Sequence, residues 1–222
     1  MNYRIIDISC FLIFFAACVY CTSFYYYPTD LMWAPDNYGW LYYADYLFGN
    51  FTHFNLHHLC ENLIGLFIIW FFFYSSSVDG FLDKTASLLV SALSVTICLY
   101  FFTDIGEYGG LSGALHGMVA YAALLRYIKD RDIKGFFLLV GLAAKLCADY
   151  FLPENLSFNE LSQKLYGDTV LLEKFLGSQH DIHFSVCKEA HLYGSLGGLV
   201  LGFMRYFFTK NRDFVVSRSI DG

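Results

Sequence analysis

The sequence predicts an all-α membrane protein, a six-transmembrane-helix bundle with both termini cytoplasmic. Three observations carry that prediction. Of the 222 residues, 57% are hydrophobic, 20% aromatic and only 15% charged, with a mean hydropathy of +0.46, a balance that a water-soluble domain of this size seldom has. A bilayer core of about 30 Å takes roughly 20 apolar residues of helix, and windows of that length fit six places along the chain. The polar connections between those places also alternate in charge.

The first run, 6–25, follows "MNYRIID" and continues into "YYYPTD". It lacks a small-residue cleavage site, so it reads as a retained helix and not as a removable signal peptide. The second, 54–74, contains "FNLHHLCENLIGL", and the third covers 84–102. The fourth, 111–128, begins inside "GLSGALHG", and the fifth, 135–152, carries Lys145 and Asp149 four residues apart in its outer half. The sixth, 189–208, reads "AHLYGSLGGLVLG" in its first half. Residues 153–186 are polar and too interrupted to span, so they are expected outside, partly as a surface helix. With no internal repeat or low-complexity tract, residues 1–222 form a single membrane domain.

Charge gives the orientation. Residues 27–52 hold Asp30, Asp36 and Asp45 without a Lys or Arg, and residues 103–110 hold Asp104 and Glu107. Arg126, Lys129, Arg131 and Lys134 crowd the connection between the fourth and fifth runs, and Lys210, Arg212 and Arg218 follow the sixth. Basic connections stay in the cytoplasm, so the acidic ones face outward. The aromatic runs "FYYY" and "WFFFY" read as an interfacial belt and lipid-facing surface. The net charge of −6 gives no basic footprint for nucleic acid. Seven cysteines, Cys10, Cys18, Cys21, Cys60, Cys98, Cys147 and Cys187, lie mostly within apolar runs without CxxC spacing. They read as small buried residues and not as a zinc site.

In this topology Ser112 stands at the outer end of the fourth helix and His191 in the outer turns of the sixth, at one depth. A serine hydroxyl becomes a nucleophile when a base within hydrogen-bond reach takes its proton. Gly194, Gly198 and Gly202 recur every four residues below His191, and Gly113 and Gly117 supply a matching notch below Ser112, with Gly110 just before it. Small residues at that spacing let two membrane helices approach closely. His58 and Asn62, also four apart, project from one face of the second helix. Together with the backbone at Leu111 and Ser112 they could hold an oxyanion.

These three motifs, His58 with Asn62, "GLSG" around Ser112, and His191 heading a glycine ladder, resemble the rhomboid intramembrane serine proteases over residues 50–208. Residues 1–49 would then add an extra first-helix region and 209–222 a cytoplasmic tail. The resemblance implies a Ser112–His191 dyad without an aspartate, in a water-filled cavity open to the outside. The longer form "GLSGALHG" is similar to the rhombosortase branch. That implies a Gram-negative inner membrane, a periplasmic active site, and removal of C-terminal sorting tails that carry a Gly-Gly motif from single-span proteins. The Trp-Arg pair of many rhomboid first loops is missing, since Trp33 and Trp40 have no arginine neighbour.

His116 reads as a rival base, a substrate contact or a buried hydrogen-bond partner, with a supporting role favoured. His53 and His57 read as solvated or structural histidines at the surface, and Lys145 with Asp149 as a pair or as cavity lining. No metal or other cofactor is expected, because an HExxH helix, the mark of a zinc intramembrane protease, is missing. The alternative functions are a non-catalytic rhomboid-like protein that binds membrane clients, and a haem or metal membrane protein suggested by seven histidines.

Overall fold

Among the described residues, six α-helices form where the six apolar runs lie. The computed structural model describes residues 3–23, 48–54, 56–74, 78–103, 108–151 and 187–220; of Ser23, His57, Val78, Asp79 and 211–220 it describes the backbone. Trp33, Trp40, the acidic residues of the first and third connections, and the segment 153–186 lie outside the described residues. The helices are α1 (Tyr3–Ser23), α2 (Leu56–Ile68), α3 (Val78–Phe102), α4 (Ser112–Ile128), α5 (Ile133–Phe151) and α6 (Lys188–Ile220). The last turn of α2 widens into a π-helical turn over Ile69–Phe73.

The stretches Tyr3–Thr22 and Gly80–Phe102 are long and apolar enough to cross a membrane, and His58–Phe73 is apolar but shorter. The boundaries differ from expectation mainly at α6. The sequence places its end near 208 with a tail beyond, but the helix runs on to Ile220. A hydropathy window measures the thickness of a bilayer and is blind to a polar helix extending past it.

Helix α4 is the buried centre. Its Gly113, Ala114, Leu115, Gly117, Met118 and the run Ala120–Leu125 are all buried, and α6, α5 and α3 pack around it. The α4–α6 contact is backbone on backbone. A Cβ added to Gly194 would land on the carbonyl oxygen of Gly113, and one on Gly198 on that of Gly117. Gly117 itself faces the Gly194 carbonyl and Ser91 of α3, while Gly202 meets Leu124. The small-residue seam expected from the sequence is therefore present. Gly110 is the exception, because it precedes α4 in a loop with φ of +129°, a conformation L-residues rarely adopt.

Helix α1 is held by charge. Asp7 accepts hydrogen bonds from Lys84 Nζ of α3 at 2.7 and 3.0 Å and from Trp70 Nε1 at 3.0 Å. Lys84 has no exposed surface and Asp7 almost none, so each ion is satisfied by the other. On the same side of the bundle, Arg205 Nε of α6 meets Asp83 Oδ1 at 3.2 Å.

Candidate active site

The opposite end of the bundle gathers the start of α2, the start of α4, the end of α5 and the start of α6. Ser112 is the first residue of α4, and His191 is in the first turn of α6. His191 Nε2 lies 3.1 Å from Ser112 Oγ. That distance follows from the glycine seam beneath it, since a side chain at Gly113 would strike the carbonyl of Ala190. His191 is only 3% exposed, while Ser112 is half-buried, so the imidazole is enclosed and the hydroxyl reachable.

On the other side of the imidazole, Nδ1 lies 3.0 Å from Asp149 Oδ2 and 3.0 Å from Lys145 Nζ, and the lysine and carboxylate are 2.5 Å apart. The i, i+4 pair of α5 is thus formed as expected, and it also reaches the His191 ring. This departs from the dyad without an aspartate implied by the resemblance, because a carboxylate does occupy the far nitrogen of His191. Spacing within α5 shows the pair; that its carboxylate meets α6 depends on how the two helices dock.

His116, one turn into α4, lies against both Ser112 and His191. Its Nδ1 donates to the Ser112 carbonyl at 2.7 Å, and its ring stacks on His191 with centroids 4.0 Å apart and planes 18° apart. Stacking restrains the His191 ring to one plane, and the Nδ1 of His116 is committed to the backbone.

The loop before Ser112 is pinned from three directions. Gly110 N–H donates to the Gly49 carbonyl at 2.9 Å, and Tyr108 Oη donates to the Gly110 carbonyl at 2.7 Å. The third is His58, whose ring lies so close that a Cβ on Gly110 would come within 2.6 Å of Cε1. Tyr108 is a site residue that the sequence reading missed, since nothing in "YGGL" marks a buried phenol as a clamp. Leu111 is fully buried and caps α4, its carbonyl accepting the Leu115 N–H at 3.0 Å. The N–H groups of the turn that follows have no acceptor four residues back, and they carry the positive end of the helix dipole.

Asn62 is buried, and its Nδ2 donates to the His58 carbonyl at 2.9 Å. One of its two amide hydrogens is therefore used inside α2. His53, expected at the surface, is instead fully buried; its Nδ1 meets the Thr22 hydroxyl at 3.2 Å, and its ring lies edge-on to His58 at 5.1 Å. The side chain of His57 lies outside the described residues. Among the described residues no group of three or more His, Cys, Asp or Glu is placed to hold a metal ion.

No protein-family profile matches the chain, and no curated protein matches it. The chemistry open to the site therefore follows from its own groups: a serine, an imidazole within hydrogen-bond reach of it, and a helix N-terminus beside both.

Proposed function

We propose that this chain is an intramembrane serine endopeptidase that cuts single-span membrane proteins near the outer boundary of the bilayer. The observation that supports it above all others is the 3.1 Å approach of His191 Nε2 to Ser112 Oγ across two helices. In this reading Ser112 Oγ attacks the scissile carbonyl carbon while its proton passes to His191 Nε2. The carbonyl electrons move onto oxygen, where the first-turn N–H groups of α4, with His58 and Asn62 of α2, hold the charge. Collapse of that intermediate breaks the C–N bond, and His191 returns the proton to the leaving amine. Water then repeats the cycle on the acyl-enzyme.

The membrane setting is supported by the outer surface of the bundle. Phe72, Leu93, Phe101, Phe137, Val200 and Phe208 are each about half exposed or more, while Asp7, Lys84, His191 and Asn50 are buried. Contiguous apolar surface on this scale is costly in water and favourable in lipid. All six helices are read as spans, with Arg126, Lys129, Arg131 and Lys134 on the cytoplasmic side and Ser112 near the outer one. A bacterial inner membrane and a Gly-Gly-type C-terminal sorting tail are the location and substrate to try first, on the strength of "GLSGALHG".

The test is covalent labelling by a fluorophosphonate in detergent or bilayers, followed by cleavage assays on tagged single-span candidates. The native chain is expected to label. Ser112→Ala should lose labelling completely, and His191→Ala should slow it by several orders of magnitude, since nucleophile and base act as a unit. Persistent labelling of Ser112→Ala sinks the proposal.

A further inference from the structure

We propose that Asp149 is a positioning residue that holds His191 in the tautomer able to accept the Ser112 proton, and that Lys145 competes with it for the same ring nitrogen. The inference rests on the serine endopeptidase reading and concerns what sets the speed of that site.

A neutral imidazole carries one N–H. For Ser112 to give up its proton, Nε2 must be bare, which leaves the hydrogen on Nδ1. That nitrogen has two neighbours at 3.0 Å, Asp149 Oδ2 and Lys145 Nζ. A carboxylate accepts, whereas an ammonium only donates, so the two demand opposite tautomers. With Asp149 as partner, Nδ1–H donates to Oδ2 and the Nε2 lone pair faces the serine hydroxyl. With Lys145 as partner, Nζ–H donates to Nδ1, Nε2 carries the hydrogen, and Ser112 faces a donor in place of a base.

Placement decides which partner prevails. Asp149 has a short side chain that is 15% exposed, while the Lys145 side chain is 35% exposed on a flexible stem. The carboxylate is the fixed neighbour and the ammonium the movable one. Lys145 also sits 2.5 Å from the Asp149 oxygen that His191 uses, so it draws charge from that acceptor. When the serine proton reaches Nε2 the ring becomes a cation with hydrogens on both nitrogens. Asp149 then stabilises that cation and Lys145 opposes it. Asp149 therefore favours the proton transfer from Ser112, and Lys145 restrains it.

The experiment measures the fluorophosphonate labelling rate of the full chain in bilayers, together with the 15N shifts of the His191 ring. Asp149→Asn is expected to slow labelling by about a hundredfold to ten-thousandfold, the upper end being the scale reached when a general base is left in the wrong tautomer. Lys145→Met, at a partly exposed position that should tolerate it, is expected to speed labelling about threefold to tenfold. The double variant Lys145→Met/Asp149→Asn should recover about tenfold or more over Asp149→Asn, because no ammonium remains to occupy Nδ1. The ring should show a protonated Nδ1 in the native chain and a protonated Nε2 in Asp149→Asn. A purely structural role for the pair would produce neither the rescue nor the tautomer exchange.

Labelling of folded Asp149→Asn within threefold of native would overturn the inference, as would a slower Lys145→Met or an unchanged tautomer. If at the same time Ser112→Ala and His191→Ala do not label, the endopeptidase reading stands without it. Labelling of Ser112→Ala would remove both.

Discussion

His53 has no exposed surface, and from just before α2 its ring reaches the Thr22 hydroxyl at the end of α1. Burial first, and the neighbouring His58 second, hold its pKa down to about 3. The folded value lies below the ordinary 6.5, so the neutral form is the one the fold accepts. Its contribution to stability is fully present above pH 6.5 and is lost as pH falls from there toward 3. At pH 5 the loss should amount to about 2 kcal/mol. Thermal unfolding of the native chain at pH 7 and pH 5 should show that drop, and His53→Gln should flatten it; an equal slope in both would mean that other groups titrate. The burial of His53 was not legible in "FTHFNLHH", where three histidines at a run boundary look alike. Ser112 and His191 were legible, because a serine among glycines and a histidine above a glycine ladder each identify a close helix contact at the same depth. Asp149 could be seen only as the partner of Lys145, since an i, i+4 pair satisfies itself and gives no sign of a third group 42 residues further along.

At the scale of elements, the position of His191 depends on how closely α6 lies on α4. Gly198 faces the Gly117 carbonyl with no room for a methyl group, and a backbone oxygen cannot turn aside as a flexible side chain can. Gly198→Leu should therefore push the helices apart at a cost of about 1–3 kcal/mol or more. A shift of about 1 Å at the reacting atoms is worth roughly a hundredfold in rate, so labelling of Ser112 should fall by about that factor while the chain still folds. Gly141 of α5 supplies the control, because a Cβ there meets nothing within 4 Å. Gly141→Leu should label at close to the native rate, and equal losses in the two variants would mean that the seam does not set the geometry. The six helices themselves were legible because each falls on an apolar run of the sequence, although among the described residues only Tyr3–Thr22 and Gly80–Phe102 are long and apolar enough to cross a membrane. What hydropathy could not give was the polar extension of α6 to Ile220, the start of α3 at Val78 or the π turn after Ile68. Those are fixed by helix propagation and by tertiary partners such as the Trp70 hydrogen bond to Asp7.

For the whole molecule, the distribution of polarity separates a membrane protein from a soluble helical one. Helix α3 is the sharpest place to ask. Lys84 and Ser87 are completely buried on its inner face, while Leu93, near its middle, is 51% exposed. In water an exposed leucine on a helix tolerates lysine, with an effect within about 0.5 kcal/mol and a gain in solubility. In a bilayer the same side chain faces hydrocarbon, and a lysine at the centre of a span costs about 2.5–3.5 kcal/mol. Snorkelling is little help there, because the middle of a helix of bilayer length is farthest from both interfaces. Leu93→Lys should therefore reduce the membrane-inserted fraction and lower the unfolding temperature in bilayers, although it touches neither the site nor the α4–α6 seam. Lysine at Lys84 is tolerated in the native chain because Asp7 and Trp70 satisfy it, so the penalty belongs to the outer face and not to charge as such. Fractionation of native and Leu93→Lys chains, followed by thermal unfolding of each, measures both effects. A Leu93→Lys chain recovered in the soluble fraction, folded and more soluble than native, would mean that the exposed apolar surface covers a protein partner in water, and the intramembrane setting of the Ser112 site would fall with it.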